Sequence, residues 1–197
     1  MAIRLFHFDR SPLCEKVRLA LALEGLAYES VTVDPSDTTI VREISGNDEL
    51  PLAVFDDDEV VQESNRILRH LAARPGSKLL PDGRRDQALT WVLVDRADAI
   101  LGPLVYRLVC RKEPDGHDLS DDDLGVLDRR LGEEIGVLEG LLERGPFVFG
   151  ERPTLADVAI HAYLNRLPRV GNRPLPGDAL RVSSWYERVE KATTTTS

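Results

Sequence analysis

Apolar and polar positions along the chain change their period partway through. Ile3 to Phe8 is a short apolar and aromatic run that suits a buried strand, and Asp9, Arg10, Ser11 and Pro12 break it. From Leu13 to Glu24, Leu13, Val17, Leu19, Ala20, Leu21 and Leu23 return at helical spacing, and Gly25 sits where a helix end favours positive φ. Tyr28 to Val33 alternates as a strand does until Asp34 and Pro35 stop it. The polar stretch from Ser36 to Glu49 holds one short predicted helix, Thr39 to Ile44. Leu52 to Phe55 and Val60 to Gln62 flank Asp56, Asp57, Asp58 and Glu59, which predicts an antiparallel hairpin with a solvated turn. Asn65 to Ala73 then carries Ile67, Leu68 and Leu71 on one helical face, with Ser64 or its neighbour as N-cap, and Arg74, Pro75 and Gly76 end it. The predicted order over residues 1–75 is β-α-β-α-β-β-α.

Beyond residues 76–83, whose prolines and glycines read as a linker, only helical periodicity remains. Leu89, Val92, Leu93, Ala97, Ile100, Leu101, Leu104, Val105 and Leu108 predict a long amphipathic helix, bent at Gly102 and Pro103. A second long helix is expected from a capping box at Ser120 and Asp123 to about Arg144, with Leu124, Leu127, Leu131, Ile135, Leu138, Leu141 and Leu142 facing inward. Gly132, Gly136 and Gly140 recur along it, and close helix packing is the expected compensation for their poor helix propensity. Glu133, Glu134 and Glu139 between them rule out a membrane-dimer reading of that spacing. Thr154 to Leu167, closed by Pro168, and Ala179 to Lys191 complete an all-helical domain over residues 84–192, and residues 193–197 are expected to be a disordered tail.

Composition narrows the function classes. The 197 residues are 42% hydrophobic, ordinary for a folded protein, and the formal net charge of -9 argues against nucleic acid and against an anionic membrane surface. Cys14 and Cys110 are the only cysteines, so a disulfide scaffold is not expected and a reducing compartment, the cytoplasm, fits best. No apolar stretch approaches the ~20 residues needed to cross a bilayer, and the N-terminus lacks the pattern of a signal peptide. His7, His70, His117 and His161 show no ligand spacing beyond Asp157 with His161 one turn apart, so no metal is expected.

Candidate chemistry lies at the strand-to-helix junctions. Ser11-Pro12-Leu13-Cys14 opens the first helix, where the dipole stabilises an anion. With cysteine at Ser11 this would be a CxxC redox site. A hydroxyl there either caps the helix or donates a hydrogen bond to a bound thiolate, lowering that thiol's pKa. Cys14 reads as a small core residue, with a resolving-type thiol as the alternative. Leu50-Pro51 precedes a strand and is compatible with a cis bond turned toward a ligand or with an ordinary trans proline. Gln62-Glu63-Ser64 is either a cap or a carboxylate-binding junction.

Together, Ser11-Pro12-Leu13-Cys14-Glu15-Lys16-Val17-Arg18, Glu49-Leu50-Pro51-Leu52 and Gln62-Glu63-Ser64 resemble the amino-terminal domain of soluble glutathione transferases. Gly150 to Asp157 is similar to that family's buried capping motif, with Thr154 and Asp157 reciprocating. The resemblance implies an α/β thioredoxin-like domain followed by an all-α domain, and an enzyme that uses glutathione as cosubstrate. It implies that Glu63 and Ser64 hold the γ-glutamyl end, that the Leu50 backbone before cis Pro51 pairs with the cysteinyl amide, and that Ser11 faces the sulfur. The chain looks serine-type, and the implied reaction adds the glutathione sulfur to a small electrophile or substitutes on one. Thiol-disulfide exchange through Cys14 and a non-catalytic binding or regulatory role are the alternatives. Tyr106 and Arg107 would line the second-substrate pocket, Asp98 would reach a partner subunit's ligand, and a homodimer is expected. One departure stands out: Ser45 to Glu49 reads SGNDE where the family often carries Asn-Pro-x-Gly-x, so Glu49 would repel the glycyl carboxylate and Arg42 is the candidate to compensate.

Overall fold

The computed structural model of the chain describes residues 3–56, 58–112, 116–175 and 178–194. These fall into two compact units, the first up to Leu80 together with Thr193 and Thr194, and the second from Pro81 to Ala192.

The first unit is built on four strands, β1 (Arg4–His7), β2 (Glu29–Thr32), β3 (Leu52–Val54) and β4 (Val60–Gln62). They lie in the order β2-β1-β3-β4, with β1 and β2 parallel and the other neighbours antiparallel. Helix α1 (Pro12–Leu23) makes the crossover that the parallel pair requires, α2 (Thr39–Ser45) fills the stretch before β3, and α3 (Ser64–Ala72) follows β4. Leu5 and Phe6 point to opposite faces of β1 and both are buried, so the sheet is covered on both sides. On one face Phe6, Val33, Val41, Leu52 and Val54 form a cluster joined by Ile44 of α2 and by Leu50. On the other, α1 packs against α3, burying Val17, Ala20, Leu21, Ile67, Leu68 and Leu71. Gly25, at φ +62°, terminates the α1 segment as its pattern predicts. Asp57 of the expected acidic turn lies outside the described residues.

The second unit is helical: α4 (Arg84–Arg96), a π-helical turn (Ala97–Leu101), α5 (Gly102–Cys110), α6 (Asp121–Leu141) with a 3-10 turn (Leu142–Arg144), α7 (Leu155–Leu164), α8 (Arg166–Arg169) and α9 (Leu180–Thr193). All ten residues of α7 are buried, which makes it the central helix, and α4 packs along it. The predicted bend has a specific cause. Pro103 has no N–H to donate to the carbonyl four residues back, and the Gly102 N–H reaches Ala97 O at π spacing. Gly102 has a second role: a Cβ there would stand 2.9 Å from Cε1 of Tyr163. The Ser120–Asp123 capping box forms as expected, with Asp123 N donating to Ser120 Oγ at 3.1 Å and Ser120 N to Asp123 Oδ2 at 3.2 Å.

Three expectations change. A Cβ on Gly132, Gly136 or Gly140 would meet nothing within 4 Å, so the glycines face open space and no close packing offsets their helix cost. Pro168 does not close α7; it lies inside α8, whose first turn needs no amide from it. Residue Thr193 is helical, while residues 195–197 of the expected tail lie outside the described residues.

Candidate active site

The loop from β1 into α1 is pinned by its own polar atoms. Ser11 is the N-cap of α1, with extended φ and ψ, and its Oγ accepts the Cys14 N–H at 3.3 Å while Pro12 occupies the first turn. Ser11 N donates to Phe8 O at 3.2 Å, Phe8 N donates to Cys14 Sγ at 3.4 Å, and Arg18 donates to the Asp9 carbonyl at 3.1 Å. A serine hydroxyl has two lone pairs and one proton, so capping uses an acceptor site and leaves the O–H to donate. Cap and thiolate donor are therefore compatible roles for half-buried Ser11. Cys14 is fully buried, and burial pushes its thiol up against the opposing hydrogen bonds from Ser11 and Phe8. That is the reverse of what an attacking thiolate needs. Buried His7 donates or accepts at Ser30 Oγ, 2.7 Å away, and burial, with help from Arg18, lowers its pKa.

The second mouth belongs to α3. The Leu50–Pro51 bond is cis, and Glu63 N donates to Pro51 O at 3.1 Å, which ties the proline loop to the start of α3. Ser64 does not cap the helix; it is the first helical residue and is buried. Glu63 takes the cap position instead, at φ +77° and without a side-chain cap bond, so the first-turn amides of α3 are not sealed by a side chain. A non-glycine residue in that conformation costs roughly 1–3 kcal/mol and tends to occur at ligand sites. Fully buried Lys16 on α1 joins the two mouths by donating from Nζ to Oδ1 of Asn65 in the first turn of α3 at 2.9 Å.

A polar brace holds the SGNDE segment against β4. Asn47 Nδ2 donates to Gln62 Oε1 at 2.8 Å, Gln62 Nε2 donates to Glu49 O at 2.6 Å, and Glu49 N donates to Asn47 Oδ1 at 2.9 Å. Arg42, the expected partner for a glycyl carboxylate, is engaged by Asp48, its Nε donating to Oδ1 at 2.9 Å. Sequence spacing carries no signal for Lys16–Asn65 or Asn47–Gln62, because the first pair is 49 residues apart and the second 15.

The remaining candidates lie in the helical unit. Tyr106 is half exposed on α5, and Arg107 lines a cleft of ≈ 300 Å³ with Ile100, Leu104, Arg130 and Glu133. Asp98 accepts the Tyr163 hydroxyl at 2.8 Å, and burial together with that carboxylate raises the Tyr163 pKa strongly. Asp157 is fully buried and accepts from Thr154 N, Thr154 Oγ1, Val148 N and Trp185 Nε1 at 2.8 to 3.0 Å. Burial pushes its carboxyl up, and those four donors pull it back toward the anion. His161 stacks on Tyr186 with ring centroids 4.5 Å apart, and burial lowers its pKa to about 4. Among the described residues no group of three or more His, Cys, Asp or Glu is placed to hold a metal, and no helix is long and apolar enough to cross a membrane.

Comparison with known proteins accounts for both units. The glutathione S-transferase N-terminal domain model matches residues 5–79 and the C-terminal domain model residues 105–192. Glutathione S-transferase 3 of Zea mays is 29% identical over 203 residues, covering 95% of this chain and 88% of its own. Maleylacetoacetate isomerase of Rhizobium meliloti is 29% identical over 167 residues, covering 79% and 77%. A glutathione S-transferase from Methylobacterium radiotolerans, solved in complex with glutathione sulfonate, superposes with a TM-score of 0.76 at 26% identity, covering 96% of this chain and 91% of that one. The chain belongs to the glutathione S-transferase family and is a transferase enzyme with glutathione as cosubstrate.

Proposed function

We propose that the enzyme activates the glutathione thiol at Ser11 and adds the sulfur to a small electrophile. The observation that carries this reading is the Ser11 geometry: its Oγ accepts from Cys14 N at the start of α1, so its proton and the helix dipole both favour a thiolate beside it. The Leu50 backbone before cis Pro51 would pair with the cysteinyl amide, and the α3 mouth at Glu63 and Ser64 would take the γ-glutamyl carboxylate. Residues 1–75 would form the glutathione-binding domain, joined by residues 76–83 to a helical domain over residues 84–192. Tyr106 and Arg107 remain our candidates for contacts to the second substrate, and the similarity to a maleylacetoacetate isomerase extends the reaction class to glutathione-assisted isomerisation. We read the protein as a cytoplasmic homodimer, a reading supported by Leu89, Val92 and Ile100, which leave apolar surface on α4 and the π-helical turn; sedimentation tests the dimer.

Titrating the thiol of bound glutathione tests the mechanism. The expected result is a pKa below that of free glutathione in the wild type, restored toward the free value in Ser11→Ala. An unshifted thiol defeats it. A second reading, a fold kept for binding without catalysis, is favoured by the engagement of Arg42 with Asp48, which occupies the cation expected to offset Glu49. Bound glutathione with no turnover across a panel of electrophiles would select that reading.

A further inference from the structure

We propose that Arg18 is a positioning residue for the thiol-activating hydroxyl: it grips the loop between β1 and α1 through Asp9 and so sets where Ser11 Oγ stands. This role rests on the glutathione reading above. Arg18 is the seventh residue of α1, about two turns from the Ser11 cap. Helical side chains lean toward the N-terminus, so this long side chain reaches back along α1 to the loop that precedes the helix. There its guanidinium takes Asp9 at two points. Nη2 donates to the Asp9 carbonyl at 3.1 Å, and Nη1 lies 3.6 Å from Oδ1 of the same residue. The fork thus holds both main chain and side chain two residues before Ser11.

The ties within the loop are long. Ser11 N meets Phe8 O at 3.2 Å and Cys14 N meets Ser11 Oγ at 3.3 Å, against the usual ~2.9–3.0 Å. Asp9 and Arg10 are exposed and Ser11 is half-buried, so packing does little to place them. At Asp9, by contrast, three elements converge. Besides Arg18 from α1, His7 Nδ1 at the end of β1 and Thr32 Oγ1 at the end of β2 each stand 3.5 Å from Oδ1. Burial lowers the His7 pKa, so at pH 7 the positive charge that meets Asp9 there is that of Arg18. An ion pair whose carboxylate is 66% exposed contributes little to folding. A change at Arg18 is therefore expected to show in catalysis before it shows in stability. The guanidinium charge also reaches Cys14, which it pulls toward the thiolate. Lysine keeps that charge and loses the fork, which separates an effect of field from one of placement. Arg18 acts through Asp9 and the loop and not by contact with glutathione.

The test is a double-mutant cycle on the full chain: wild type, Arg18→Lys, Ser11→Ala and the double variant. Each is melted thermally, and kcat and KM are measured with glutathione and the most active of a panel of aryl halides, epoxides and unsaturated carbonyls. With Ser11 present, Arg18→Lys is expected to lower kcat about tenfold, to leave the KM for glutathione within about twofold and to leave the melting temperature unchanged. In the Ser11→Ala background the same change is expected to cost less than about twofold, because the hydroxyl that Arg18 places is gone. Should Arg18→Lys fail to fold, Asp9→Asn, which keeps the shape and removes the charge, takes its place in the cycle and decides alone. Equal losses in the two backgrounds, no loss in either, or a loss that follows the melting temperature overturns the inference. A wild type without turnover across the panel, or a Ser11→Ala variant as active as the wild type, instead overturns the functional reading on which the inference depends.

Discussion

Two helix N-termini in this molecule are built from the same chemistry and finished differently. At α7 the hydroxyl of Thr154 and the carboxylate of Asp157 reciprocate, and Val148 and Trp185 supply two more donors, all of it buried. At α1 a single hydroxyl, Ser11, accepts one amide at 3.3 Å and stays half exposed. A closed cap consumes its hydrogen-bonding capacity inside the protein and stabilises the fold. An open cap keeps a donor and part of a helix dipole available to a ligand. The contrast teaches that a serine or threonine at a helix start says little about function until the fate of its remaining lone pairs and proton is known.

Disrupting the closed cap should produce the largest effect. Asp157→Ala strips the acceptor from four buried donors and is expected to destabilise the protein by about 3–5 kcal/mol, measured by denaturant unfolding. The same experiment on the open cap should split stability from activity. Ser11→Ala is expected to cost about 1 kcal/mol of stability but about a hundredfold in kcat/KM with glutathione, and to move the pH–rate profile upward. Equal losses of stability at the two caps would erase the distinction between them.

Acid should act through the helical unit. His161 is 1% exposed and its pKa is lowered to about 4 in the folded chain, against 6.5 for an ordinary histidine. As pH falls through 6.5 the unfolded chain takes up a proton that the folded chain refuses, so stability is complete above pH 6.5 and declines toward pH 4. The full loss is up to about 3 kcal/mol. Unfolding curves across that window should flatten in His161→Phe, and a wild type whose stability is level from pH 6.5 to 4.5 would contradict the assignment. The smallest effect should be a gain. Gly136 sits in α6 with open space where a Cβ would go, so Gly136→Ala is expected to raise stability by about 0.5–1 kcal/mol, read as a higher melting temperature.

The amino-acid pattern alone determined the order β-α-β-α-β-β-α, the change to helical periodicity after it, and the motifs at Ser11, Leu50-Pro51, Glu63-Ser64 and Thr154 to Asp157. Those features are local: strand and helix periods, proline and glycine positions, and caps three residues apart are set by backbone geometry within a few residues. Tertiary structure alone decided which cap is open, that Ser64 begins α3 without capping it, that Arg42 is spent on Asp48, and that the glycines of α6 face open space. It alone brought Lys16 to Asn65 and Asn47 to Gln62. Hydrogen-bond partners and burial depend on side chains far apart in the chain that meet only once the sheet and helices have packed, and no local period records such a meeting.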